Sequence, residues 1–203
     1  MSKITNTQLH LVEAASAGSS TAAEGQIWVK SDAPSSLYYT DDAGTDFRMG
    51  GITVTSELAA SGTTMTIGSI PPGVKKVDIL FAGLSTSAGA EWLVRIGDSD
   101  GIETSGYFSC SGDGDSADTS SVGYIITYGV GAPELRDGIV SLYLEDVSNN
   151  TWISNGILNQ GNAANLLNYS AGRKSLSGVL TQVQVLNEST DTFDAGAIAL
   201  QYS

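Results

Sequence analysis

The chain has 203 residues, with 22 acidic against 9 basic side chains and a net charge of −13. Such a balance repels phosphate backbones and anionic headgroups, which excludes ordinary nucleic-acid binding and electrostatic docking on a membrane. Hydrophobic residues at 41 % suffice for a core and exclude wholesale disorder, while 24 glycines against 4 prolines predict many short strands joined by tight turns.

No run has the length and 3.6-residue period of a long helix, so the expected fold is all-β. The single cysteine, Cys110, allows no intrachain disulfide, and its surroundings predict a partly buried bystander. The first residues lack the apolar core of a secretory signal, and no apolar stretch is long enough to span a bilayer. Synthesis in a cytoplasm, without export or membrane insertion, is the expectation.

Residues 1–24 read as an N-terminal attachment arm, extended because a run such as Ala15-Ser16-Ala17-Gly18-Ser19-Ser20 makes no core of its own. Residues 25–51 read as a strand-turn element with its clearest turn at Asp41-Asp42-Ala43-Gly44 and glycines at 50 and 51. A hairpin this small is marginal in water. Its Ile27, Trp28, Val29, Leu37, Tyr39 and Phe47 therefore need partners, and they are the expected trimer or assembly residues.

From residue 52 to 203 alternating runs predict about eight strands, near 64–67, 74–81, 92–96, 123–129, 137–144, 151–154, 176–186 and 195–202. Turn signals between them point to a β-sandwich, with a jelly-roll-like arrangement preferred. Trp92 and Trp152 are expected in its core, and the last run is expected to be a core strand with Ile198, Leu200 and Tyr202 on one side.

Two stretches carry a family resemblance. Gly25, Trp28-Val29, Pro34 and Leu37-Tyr38-Tyr39-Thr40-Asp41-Asp42-Ala43-Gly44 resemble the strand-turn element near the N-termini of tailed-bacteriophage fibre and virion surface proteins. Ile70-Pro71-Pro72-Gly73-Val74-Lys75-Lys76-Val77, the run from Arg95 to Tyr107, Ser175-Leu176-Ser177-Gly178 and Asp191-Thr192-Phe193-Asp194-Ala195-Gly196 resemble a domain of tail-fibre proteins. The resemblance implies a homotrimeric virion structural protein, a short tail fibre or spike. It would join other virion proteins, of tail or capsid, through residues 1–50 and present a β-sandwich to host-surface glycan. A head fibre or capsid decoration (cement) protein and a glycan depolymerase are the alternatives.

Candidate chemistry is thin. Asp98, Asp100, Asp113 and Asp115 could offer oxygens to calcium, but Ala117 and Asp118 break the EF-hand pattern, so no metal site is assigned. The only histidine, His10, lies in the arm, which removes a Ser-His-Asp system from the sandwich. A glycosidase would need two facing carboxylates from among Glu91, Glu103, Glu134, Glu145 and Asp146. Gly97, Gly101 and Gly106 lack the Lys-Ser/Thr of a phosphate loop. Tyr107, Phe108, Tyr124, Tyr128 and Trp152 could stack on sugars, Tyr107 being the favoured surface residue. The expected receptor contacts are Tyr107, Asp98, Asp100, Asp113 and Asp115; no catalytic residue and no cofactor is assigned.

Overall fold

A computed structural model describes residues 11–19, 24–31, 36–128, 131, 134–159 and 166–203. His10, Pro34 and the first residues of the arm lie outside them. The chain divides into two compact units, Met1–Gly51 and Ile52–Ser203.

The first unit is one four-stranded sheet in the order β1-β2-β3-β4, from β1 (Glu13–Ala14), β2 (Gln26–Lys30), β3 (Ser36–Thr40) and β4 (Asp46–Arg48). The β3–β4 turn forms where expected. The Asp41 carboxylate accepts the Thr45 amide at 2.7 Å, the Asp41 carbonyl accepts the Gly44 amide at 3.0 Å, and Gly44 takes φ 81°. The arm is not wholly a free tether: Glu13 and Ala14 pair in parallel with Val29 and Lys30.

The second unit comprises β5 (Thr53–Val54), β6 (Leu58–Ala59), β7 (Thr64–Ile67), β8 (Lys76–Thr86), β9 (Trp92–Asp98), β10 (Gly101–Ile102) and β11 (Phe108–Gly112). It continues through β12 (Ala117–Ser120), β13 (Tyr124–Ile125), β14 (Arg136–Asp146), β15 (Thr151–Asn159), β16 (Leu167–Ser175), β17 (Gln182–Asn187) and β18 (Phe193–Tyr202). One sheet runs β12-β11-β16-β15-β14-β8-β18-β5, and the other runs β10-β9-β17-β7 with β13 also on β9. Within them, β5-β18-β8-β14 and β7-β17-β9-β13 are the two four-stranded sheets of a jelly-roll sandwich. Numbered along the chain, these eight strands run 1-8-3-6 in one sheet and 2-7-4-5 in the other. The remaining strands β15, β16, β11 and β12 extend the first sheet beyond β14.

The core lies between the sheets. Val77, Ile79 and Phe81 of β8, Val94 and Ile96 of β9, Val140 and Leu142 of β14, and Ile198 and Leu200 of β18 alternate inward and are buried. Trp92 and Trp152 are both core residues, and Trp92 meets Phe193 edge-on at 5.5 Å. The strand expected near 74–81 does not stop there. β8 instead runs on to Thr86 through a bulge, in which Gly83 takes φ 58° and faces Gly196 at φ 79° on β18. A Cβ on Gly196 would sit 2.2 Å from the Gly83 carbonyl oxygen, so only glycine fits that crossing.

Candidate functional site

Strand parity sorts the side chains of the small sheet. Ile27 and Val29 of β2, Leu37 and Tyr39 of β3 and Phe47 of β4 share one face, because Ile27 pairs with Tyr39, Val29 with Leu37 and Tyr39 with Phe47. The Tyr39 and Phe47 rings stack at 6.3 Å, yet Ile27 remains 53 % exposed and Tyr39 38 %. Five of the six expected assembly residues thus share one apolar face, on which Ile27, Leu37, Tyr39 and Phe47 are exposed and Val29 is half-buried.

Trp28 is not among them. It points to the opposite face and is buried, with its ring stacked on Tyr38 at 5.1 Å. Its indole N–H donates to Thr40 Oγ1 at 2.8 Å, and Thr40 donates to Asp46 Oδ1 at 2.5 Å. Trp28 organises its own sheet.

Two of the five expected receptor contacts, Tyr107 and Asp98, are buried. Tyr107 is buried, because the segment before β11 folds against β9. Its hydroxyl accepts the Ile96 amide at 2.9 Å and donates to the Glu103 carbonyl at 3.0 Å, and burial pushes its pKa up to about 12. Asp98 is also buried: it accepts the Ser177 hydroxyl at 2.6 Å and the Asp100 amide at 2.9 Å, and these two bonds hold its pKa below the ordinary value. Lys174, itself buried, pairs with Glu103 and lies 5.5 Å over the Tyr107 ring. Asp98, Glu103, Tyr107, Lys174 and Ser177 therefore form a knot that ties β9, β16 and the loop after β16.

Asp100 and Asp115 are exposed at separate turns. Asp113 accepts the amides of Ser116 and Asp115, both at 3.0 Å, which lowers its pKa. Among the described residues, no group of three or more His, Cys, Asp or Glu side chains could hold a metal ion. Tyr124 is buried with its hydroxyl on the Trp152 carbonyl, so neither residue offers a sugar platform. Phe108 is 85 % exposed and Cys110 is exposed rather than partly buried, since Ser109 and Ser111 take the inward positions of β11. Of the carboxylates a glycosidase would draw on, Glu103 pairs with Lys174, Glu134 with Arg136 and Glu145 with Arg173.

Next to the knot opens a cleft of about 420 Å³, lined by Asn149, Asn150, Thr151, Arg173, Ser175 and Ser177 among others. Asp146 sets the β14–β15 turn beside it, accepting from the Ser148 amide, the Ser148 hydroxyl and the Asn149 side-chain amide at 2.8, 2.6 and 2.6 Å. Those bonds bring the Asp146 pKa down to about 2. Arg173 is the cation of the cleft, 3.6 Å from Glu145. Amides, hydroxyls and one guanidinium offer donors and acceptors suited to a polyhydroxylated ligand. Sequence reasoning missed this cleft; its one local signal was Asp146 followed by Ser148-Asn149-Asn150, a turn-forming run.

Scanned against protein-family models, curated proteins and solved structures, the chain matches none.

Proposed function

We propose that this chain is a bacteriophage virion structural protein, a short trimeric fibre or spike. In this reading residues 1–50 join it to copies of itself and to other virion proteins, and the sandwich meets host-surface glycan. The observation that carries the reading is the apolar face on which Ile27, Leu37, Tyr39 and Phe47 are exposed beside half-buried Val29. A four-stranded sheet of such short strands gains little by burying one face only, and a second apolar face left in water favours association. Three copies closing this face around a common axis would remove it from solvent. The jelly roll suits display on a particle, as it does in capsid and lectin domains, and the polar cleft at Arg173 supplies the glycan contact that Tyr107 does not.

The test pairs a charge on the face with a glycan array. Phe47→Asp should dissociate the trimer to monomers, and labelled wild-type trimer should bind a subset of glycans that an Arg173→Ala trimer does not. A trimer that binds no glycan would favour the head-fibre or capsid-decoration alternative. A Phe47→Asp chain that stays trimeric would refute association through this face.

A further inference from the structure

β11 and β16 are antiparallel neighbours, and their register sets Phe108 directly opposite Arg173. Residues opposed in this way point to one side of the sheet, with Cβ atoms about 5 Å apart. Here that side is the outward one: Phe108 is 85 % exposed and the Arg173 side chain 63 %. The parity of β11, with Ser109 and Ser111 inward, keeps the ring out of the core. Arg173 also lines the polar cleft, so an open aromatic ring stands beside the cation of the cleft.

The charge of the cleft runs against that of the chain. Acidic side chains outnumber basic ones 22 to 9 overall, yet the described residues that line the cleft include one guanidinium and no carboxylate. The carboxylates around it are engaged elsewhere. Asp98 accepts the Ser177 hydroxyl, Glu103 pairs with Lys174, and both Asp146 oxygens accept donors of their own turn. Glu145 alone reaches Arg173, at 3.6 Å and with both side chains well exposed. A pair so long and so wet holds its partners weakly. A guanidinium can instead grip one planar carboxylate through two parallel N–H···O bonds of about 2.8 Å.

We propose that the cleft takes an acidic saccharide, a carboxylated sugar whose carboxylate seats in the Arg173 fork and whose apolar ring face packs on Phe108. The hydroxyls and amides of Asn149, Asn150, Thr151 and Ser175 then face the hydroxyls of the sugar. Aromatic rings suit this task because they offer a flat apolar surface to the C–H face of a sugar. The net charge of −13 repels such a ligand at a distance, but screening confines that repulsion to roughly 8 Å at physiological salt. At contact, the guanidinium is the nearest charge. Glu145 acts as a stand-in that the ligand carboxylate displaces.

The inference rests on the proposed glycan contact and narrows it to one class of sugar. The test offers the full-length chain an array of uronic- and sialic-acid oligosaccharides, each beside its methyl ester, together with neutral oligosaccharides. The ester keeps the shape of the sugar and removes its charge. Free acids should bind about tenfold more tightly than their esters, and Arg173→Ala should erase that preference. Glu145→Gln should tighten acid binding about two- to fivefold by removing the competitor. Phe108→Ala, at an exposed position that the fold does not need, should weaken acid and ester alike by about fivefold. Equal binding of acid and ester by the wild type would overturn the acidic-sugar assignment and leave the glycan reading standing. A preference for acid that survives Arg173→Ala would overturn the assignment to this cleft. A chain that binds no member of the array would overturn both readings.

Discussion

The Ser177 hydroxyl donates to Asp98 Oδ2 at 2.6 Å across 79 residues of chain, joining the loop after β16 to the end of β9. The same hydroxyl faces the Asp98–Glu103–Lys174 knot on one side and the polar cleft on the other. Shape at the cleft and stability of the sandwich end are therefore coupled through one side chain.

The pH response of that link has a definite sign. Asp98 is held below its ordinary value of 3.8, first by the Ser177 hydroxyl and then by the Asp100 amide. Its contribution is complete above the unfolded carboxyl value and is lost as pH falls through the lowered folded value. Acid unfolding of Asp98→Asn should therefore show less stability loss than wild type below pH 3.8. Ser177→Ala should cost about 1.5–3 kcal/mol at neutral pH, the range for a hydrogen bond to a charged group. A Ser177→Ala chain with an unchanged urea midpoint would contradict this.

Tyr107→Phe should lower stability by about 1–3 kcal/mol, because the buried Ile96 amide loses its acceptor. Glycan binding by the folded variant should be unchanged. Loss of glycan binding with full stability would return Tyr107 to the surface role that its burial denies it.

Local sequence could not have placed Tyr107. Its neighbours Ser105, Gly106 and Ser109 read as a loop, and the residues that bury it come from β9 and β16. The long strands β8, β14 and β18 were legible because their apolar residues alternate against polar ones over many positions. β16 was not: Ser170-Ala171-Gly172 breaks the pattern, and its bulky residues face outward. In the small sheet the apolar set was legible, but Trp28 differs from Ile27 and Val29 only in parity, which needs the register to the next strand.

Gly196→Ala should destabilise the sandwich by about 1–3 kcal/mol, since a positive φ of 79° and a clash with the Gly83 carbonyl act together. Urea denaturation measures it. An alanine variant as stable as wild type would mean the β8–β18 bulge relaxes without cost.

Trp28→Phe should leave native mass unchanged while lowering the stability of the small sheet by about 1 kcal/mol, the worth of the lost bond to Thr40. Phe47→Asp should do the reverse, breaking association with little change in the fold of the monomer. If Trp28→Phe instead dissociates the protein, Trp28 serves the interface as well as its own sheet.

The most direct measurement is the native mass of the full-length chain by light scattering over a range of concentrations. With 21.0 kDa per chain, a trimer should show three times that mass, 63 kDa. A mass of 21.0 kDa at every concentration would contradict it, because the apolar face of the small sheet would then stand in water without association.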